Sequence, residues 1–266
     1  MRIVTWNLWW RFGPWEARQH AIEATLAELD ADVVCLQETW VAEGGAQQAT
    51  LLGDRLDRHA TRNDPECFDG FGITNAVLSR WPIAAQHVAS LPGPDGSPSR
   101  RHAVVAELAS PFGPVRVVST HLHHPLTASA TRVAQARALA GLVAGHRGDP
   151  ERDFPVLVGG DFNAVSWSDE LRLLTGAAPV PVADLAFTDC WEHAGEGGAG
   201  HTWATTNPYL ADSAIPNRRI DYLLVSWPRP RPLGNPVRVW LAGTEAVDGV
   251  QPSDHYALAA DLVSLT

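Results

Sequence analysis

The apolar runs of this chain are short. Stretches such as Ala103–Val105 and Pro155–Val158 have the length of a strand, and turns or polar residues bound them. None approaches the roughly 20 residues that a helix needs to cross a bilayer. Strand patterns are read at Arg2–Leu8, Asp32–Gln37, Asn75–Leu78, Ile83–Ala89, Ala103–Leu108 and Val115–Thr120, then at Val156–Gly159, Ile220–Val225, Val237–Leu241 and Tyr256–Leu262. Helical spacing is read at Glu16–Leu29, Gln47–Leu56, Ala130–Ala144 and Ser168–Leu174. In the first helix Ala17, Ile22, Leu26 and Leu29 are expected to share the buried face. Leu91–Ser99 and Pro228–Pro236 read as Pro-rich loops. Hairpins interrupt the strand–helix alternation, which favours an α/β architecture of two packed mixed β-sheets flanked by helices over a purely parallel sheet. The 266 residues show no repeat and no long linker, so a single domain over 1–266 is expected.

Composition narrows the chemistry. Apolar residues make up 45% and charged residues 19%, which suits a water-soluble globular chain. Met1–Asn7 lacks the features of a signal peptide. Cys35, Cys67 and Cys190 have no Cys-x-x-Cys spacing, so neither a zinc site nor a disulfide framework is expected, and the compartment reads as reducing and cytoplasmic. All 20 basic residues are arginine, and the net charge is −10. Proteins that grip duplex nucleic acid present basic surfaces, because phosphate contacts dominate that affinity. This balance weighs against a duplex-binding role and leaves room for a local arginine cluster.

Polar residues recur just beyond the apolar strands, where loops hold functional groups on a rigid scaffold. Asn7, Glu38 and His121 each follow one strand, Asp161 and Asn163 follow another, Asp221 opens a strand, and Asp254 and His255 precede the last one. Each alone reads as a turn former or cap. Together they form a set rich in hard oxygen ligands, suited to Mg2+ or Mn2+.

These positions lie in segments with a familiar order: Thr5-Trp6-Asn7, Leu36-Gln37-Glu38, Asn75-Ala76-Val77-Leu78-Ser79-Arg80-Trp81-Pro82-Ile83, Ser119-Thr120-His121-Leu122, Gly159-Gly160-Asp161-Phe162-Asn163-Ala164, Arg219-Ile220-Asp221-Tyr222 and Ser253-Asp254-His255-Tyr256. In these motifs the sequence resembles the endonuclease/exonuclease/phosphatase superfamily of DNase I-like fold. The resemblance implies a four-layered α/β sandwich with one pocket at the rim of the two sheets. It also implies metal-dependent phosphoester hydrolysis. Glu38 would bind the metal, with Asn7 and Asp254 beside it. Asp161 would orient or deprotonate the attacking water, and Asn163 would donate a hydrogen bond to that water or to the phosphate. His121 and His255 would contact the scissile phosphate, and Asp221 would fix the tautomer of His255.

Arg101 is the phosphate-side arginine to expect, following the Pro/Gly/Ser loop and opening a strand. Arg132 and Gln135 resemble a family helix pattern but read more simply as surface cover. Trp9, Trp10, Phe12, Trp15, Trp40, Trp167 and Trp203 crowd the proposed rim loops, either to meet substrate or to anchor the loops. His123, His124 and His201 are weaker candidates for substrate contact. The acidic net charge favours a small phosphomonoester or phosphodiester, including a lipid head group. A nuclease of single-stranded or terminal DNA or RNA is the alternative, a lesion endonuclease on duplex DNA comes third, and a non-catalytic phosphate-binding module is a reading from a different class. A monomer is expected.

Overall fold

The structure is a computed structural model that describes residues 1–264; the last two residues of the expected 1–266 domain lie outside the described residues. Among the described residues twelve strands form two six-stranded sheets. The first sheet has the order β11(Pro236–Ala242), β12(Ala257–Leu262), β1(Arg2–Asn7), β2(Val33–Ala42), β4(Phe71–Ser79), β3(His59–Ala60). The second runs β5(Ile83–Pro92), β6(Pro98–Ser110), β7(Gly113–His121), β8(Leu157–Asp161), β10(Asp221–Trp227), β9(Ala186–Asp189). Most neighbours are antiparallel. Two pairs are parallel, β1 with β2 and β7 with β8. Each needs a crossover, supplied by α1(Trp15–Leu29) and α3(Ser129–His146).

The period-two alternation of the strands separates the apolar residues into three layers. Ile3, Val33 and Cys35 face inward and pack with Val117, Leu157 and Leu223 of the other sheet. Val4, Trp6, Val34 and Leu36 face outward and pack under Ile22 and Leu26 of α1 and Leu52 of α2(Gln48–Leu56). On the far side Val118, Val158 and Leu224 meet Leu139 and Val143 of α3 and Leu171 of α4(Asp169–Thr175). Helix, sheet, sheet, helix is the expected four-layered sandwich. The sheets approach closely at β8, where a Cβ on Gly159 would lie 2.7 Å from Cys35 Cβ.

Some expectations need correction. Ala17 is exposed, and Arg18 takes the buried face with Ile22, Thr25, Leu26 and Leu29. The second strand runs past Gln37 to Ala42 and carries Glu38 within it. The Leu91–Ser99 segment is the tip of the long β5–β6 hairpin. The edge strand β9 and α5(Cys190–Ala194) were not legible, being four and five residues long. No helix among the described residues is long and apolar enough to cross a membrane.

Candidate active site

Sheet register gathers the first three side chains. His121 ends β7 opposite Asp161 at the end of β8, and Asp161 stands opposite Asp221 at the start of β10. Residues in register on neighbouring strands project from one face, so an imidazole and two carboxylates share one row. Asp161 is 1% exposed. Its Oδ1 accepts the backbone N–H of Asn163 at 2.8 Å, and its Oδ2 accepts the Asn7 amide at 3.1 Å. Burial, then the charge of Asp221, pushes the Asp161 carboxyl up to about 7.

His255 reaches this row from the other sheet. Its Nδ1 lies 2.9 Å from Asp221 Oδ2, and its Nε2 lies 3.9 Å from Asp161 Oδ2. Burial works against a charged ring here, but Asp221 and then Asp254 hold the His255 imidazole well above its ordinary value. Trp203 packs edge-on against the ring with centroids 5.1 Å apart. Thr202 Oγ1 accepts the backbone N–H groups of Ile220 and Asp221, fixing the start of β10.

His121 has the opposite character. Burial, then Arg101, lowers it well below its ordinary value, so it is neutral. Its Nε2 lies 3.0 Å from the Asn163 amide nitrogen and 3.3 Å from Asp161 Oδ2. An amide N–H donating to Nε2 leaves the imidazole proton on Nδ1, which lies 3.8 Å from Glu38. The other Asn163 amide proton goes to Leu122 O at 3.3 Å. Both donors of that side chain are therefore engaged within the protein.

Glu38 owes its direction to an irregular backbone. The β2–β4 register shifts between Leu36 and Thr39, and Glu38 takes φ +52°. A bulge re-aims a side chain that regular alternation would bury against a neighbour. The Glu38 carboxylate accepts no hydrogen bond among the described residues and lines a cleft of about 380 Å³ with His121, Arg101, His123 and His124. Asp254 is 5% exposed. Burial raises it, against the opposing pull of His255 and Arg18 and with the help of Glu38, to about 7. Asn7 Oδ1 accepts Trp9 N–H, leaving one lone pair. A donor-free carboxylate, a second carboxyl that its charge disfavours and an amide oxygen form an oxygen-rich set that fits a hard divalent cation.

Asp161, Asp221 and His255 also place ligand-type atoms within 4.8 Å of one another. That space already holds His255 between two carboxyl groups, and the charge of His255 opposes a cation there.

The other expected residues divide. Arg101 lines the cleft, with Nη2 3.1 Å from His124 Nδ1; burial lowers its basicity while Glu38 and Asp161 oppose that. Arg132 and Gln135 are not surface cover. Both are buried in α3, where Arg132 pairs with Glu170 at 2.9 Å and Gln135 binds the His123 N–H and Pro92 O. Trp15 and Trp40 pack on each other and on Phe71, whereas Trp167 stands 76% exposed. Sequence reasoning missed Arg18, which is fully buried and donates to five backbone carbonyls around Asn7 and Asp254. Its signal was an arginine at helical spacing from Ile22, Thr25 and Leu29.

The structure superposes on solved relatives over nearly its whole length. Truncated TDP2 from Caenorhabditis elegans aligns with TM-score 0.76 and 21% identity, covering 99% of this chain and 97% of that one. D. rerio TDP2 complexed with single strand DNA product aligns with TM-score 0.75 and 19% identity, covering 99% of each. An endonuclease/exonuclease/phosphatase from Beutenbergia cavernae aligns with TM-score 0.71 and 23% identity, covering 98% of this chain and 71% of that one. At these identities the likeness establishes the fold. No curated protein matches the sequence. The sequence model of the endonuclease/exonuclease/phosphatase family, however, matches residues 4–255, and the chain belongs to that family.

Proposed function

We propose that the chain is a Mg2+- or Mn2+-dependent phosphoester hydrolase acting on a small phosphodiester or phosphomonoester. One observation carries this reading. Asp161 lies between a neutral His121 and a positively charged His255, beside a cleft that also holds Glu38 and Arg101. That set supports a reading in which Asp161 is the base, Glu38 a cation ligand and the histidines and Arg101 phosphate-binding donors, as in-line phosphoryl transfer requires.

Glu38, with Asp254 and Asn7 beside it, would hold the cation, which supplies Lewis acidity toward a phosphoryl oxygen when bound. Asp161, lifted to about 7, takes the proton of the attacking water near neutral pH. His255 donates from Nε2 to the phosphate, and Asp221 keeps its proton on Nδ1 and stabilises its charge. His121 offers its Nδ1–H to a phosphate oxygen because Asn163 engages Nε2. Asn163 thus acts by positioning His121 and Asp161. The Arg101 guanidinium, with no carboxylate partner among the described residues, closes on the remaining phosphate oxygens. The three free cysteines support a reducing, cytoplasmic setting, and we take the chain to act as one monomeric domain.

A second reading, hydrolysis at single-stranded ends, draws on the D. rerio relative that holds a single strand DNA product. The net charge of −10 weighs against it. Bis(p-nitrophenyl) phosphate, p-nitrophenyl phosphate and a single-stranded oligonucleotide, each with Mg2+, Mn2+ or chelator, test both. Metal-dependent turnover that Asp161→Asn abolishes is expected. No metal-dependent turnover of any of them overturns the reading in favour of a phosphate-binding module.

A further inference from the structure

Glu38 and Arg101 line one cleft but belong to different sheets, Glu38 to β2 of the first and Arg101 to β6 of the second. A phosphate held between a cation on Glu38 and the Arg101 guanidinium needs their separation fixed. The sheet ladders do not fix it. The β2–β4 register slips at Glu38. Ser99, Arg100 and Arg101 have no register partner in β5 or β7 among the described residues. Where a ladder breaks in this way, other contacts must set the direction of the side chains.

His102 supplies such contacts, because its ring spans the two sheets. Its Nε2 accepts the backbone N–H of Asn75 at 3.3 Å, so the ring proton sits on Nδ1. Nδ1 donates to Arg100 O at 3.1 Å. The Asn75 amide donates in return to His102 O at 2.8 Å. The carbonyls before and after Arg101 are therefore both tied to the His102–Asn75 pair. Burial lowers the basicity of the ring, in keeping with the neutral form that this pattern requires.

The same ring reaches toward the cation side. Thr74 Oγ1 lies 3.0 Å from His102 Nε2, and because that nitrogen carries no proton the hydroxyl donates to it. Thr74 O accepts the hydroxyl of Thr39 at 3.0 Å, and Thr39 directly follows Glu38. Thr39 and Thr74 are 1% and 4% exposed, which shields these bonds from competing water. One chain of hydrogen bonds thus runs from the Glu38 bulge through Thr39 and Thr74 to His102 and on to the peptide of Arg101.

We propose that His102 is a positioning residue that fixes the spacing between the cation side at Glu38 and the phosphate side at Arg101. It acts through those two groups and not on the reacting atoms. The proposal rests on the hydrolase reading, which supplies the cation and the phosphate that His102 aligns.

The signature of such a role is the coupling between two ligands, not either affinity alone. Mn2+ and methylphosphonate, a non-hydrolysable phosphate mimic, are titrated singly and together by calorimetry and by manganese electron paramagnetic resonance. In the wild type each ligand should tighten the other by the same factor, about 10-fold or more. In His102→Phe, which fills the space without polar atoms, the factor should fall to about 2-fold or less, with Mn2+ alone bound within about 2-fold of wild type. The kcat/KM for bis(p-nitrophenyl) phosphate should drop with it by about 10–100-fold. His102→Gln offers an amide oxygen to Asn75 N–H and the Thr74 hydroxyl but loses the donor to Arg100 O. It should give an intermediate factor, and it decides the matter if His102→Phe does not fold. Wild-type coupling in either folded variant overturns the proposal, however much the melting temperature has dropped. If the wild type binds no Mn2+, the hydrolase reading fails separately. Methylphosphonate alone then decides: binding that weakens in His102→Phe as far as in Arg101→Ala sustains the positioning of Arg101. Equal binding by His102→Phe and wild type, or none by the wild type, ends it.

Discussion

Asp221 Oδ2 lies 2.9 Å from His255 Nδ1, and the two residues come from different sheets: Asp221 opens β10 and His255 precedes β12. The bond therefore tests both the fold and the chemistry. The other Asp221 oxygen has no partner among the described residues, so the carboxylate is committed to the imidazole. Asp221→Asn keeps the shape but removes the charge that sustains the protonated ring. Turnover should fall by about 10³-fold or more, as in other Asp–His pairs whose carboxylate becomes an amide. Proton-detected titration of His255 should show its pKa dropping at the same time. A variant within about 10-fold of wild type would mean that Asp221 only braces the sheet.

The buried carboxyls give the metal-free protein an unusual pH dependence. Asp161 and Asp254 are raised from ordinary carboxyl values to about 7. The folded state then binds more protons than the unfolded chain across that interval, so their stabilising contribution is present at low pH and is lost as pH climbs through about 7. His255, raised well above its ordinary value, acts in the same direction at higher pH. His121, lowered well below its own, opposes them only at and below the ordinary histidine range. The melting temperature with chelator should therefore decline between about pH 6.5 and 8, and Asp161→Asn or Asp254→Asn should flatten the decline. Mn2+ should restore stability at the alkaline end, where the carboxylates are ready to bind it. A flat profile for the chelated wild type would contradict the raised carboxyls.

Glu38 combines a strained backbone with an unpartnered carboxylate. Its φ of +52° carries a penalty of about 1 kcal/mol for a residue with a Cβ. Glu38→Gly should raise the melting temperature by about 2–4 °C while abolishing metal-dependent turnover. Glu38→Gln keeps the strain and should raise the Mn2+ concentration for half-maximal activity by about 100-fold. Manganese titration followed by electron paramagnetic resonance measures that affinity without turnover. Unchanged Mn2+ binding in Glu38→Gln would move the cation elsewhere.

The strands were readable because alternation separates the inner Ile3, Val33 and Cys35 from the outer Val4, Trp6 and Val34, and a period of two survives in sequence. The proposed site residues were readable because Asn7, His121 and Asp161 end their strands. What strand ends do not encode is direction. The bulge that turns Glu38 toward the cleft depends on pairing with β4, whose residues lie over thirty positions away. The pairing of Trp203 with His255 and the burial of Arg132 against Glu170 likewise arise only when distant segments meet. The link through His102 was equally hidden, since Thr39, Thr74 and His102 come from three separate strands.

Arg18 offers the sharpest test of how the two sides of the site are tied together. Its Nη1 donates to Leu8 O at 2.7 Å and Pro252 O at 2.9 Å, and its Nη2 to Trp9 O, Trp10 O and Phe12 O at 2.9, 3.0 and 3.1 Å. The first and last three of those carbonyls belong to the segment after Asn7, and Pro252 belongs to the segment that carries Asp254 and His255. No carboxylate touches the guanidinium among the described residues; burial lowers its basicity, and Asp254 opposes that from a distance. Arg18→Met fits the apolar face of α1 but takes a donor from five carbonyls, of which Trp9 O keeps the Phe12 N–H at 3.1 Å. The loss should be about 3 kcal/mol, since unpaired buried acceptors dominate such substitutions, or about 6–12 °C in melting temperature for a chain of this size. Arg18→Lys keeps a charge but supplies three donors from one atom, so it should recover stability only in part. If the guanidinium also sets the spacing between Asn7 and Asp254, Mn2+ affinity should weaken in Arg18→Lys at temperatures where that variant is fully folded. A folded Arg18→Lys with wild-type Mn2+ affinity would confine Arg18 to holding the loops, and an Arg18→Met protein as stable as wild type would remove even that.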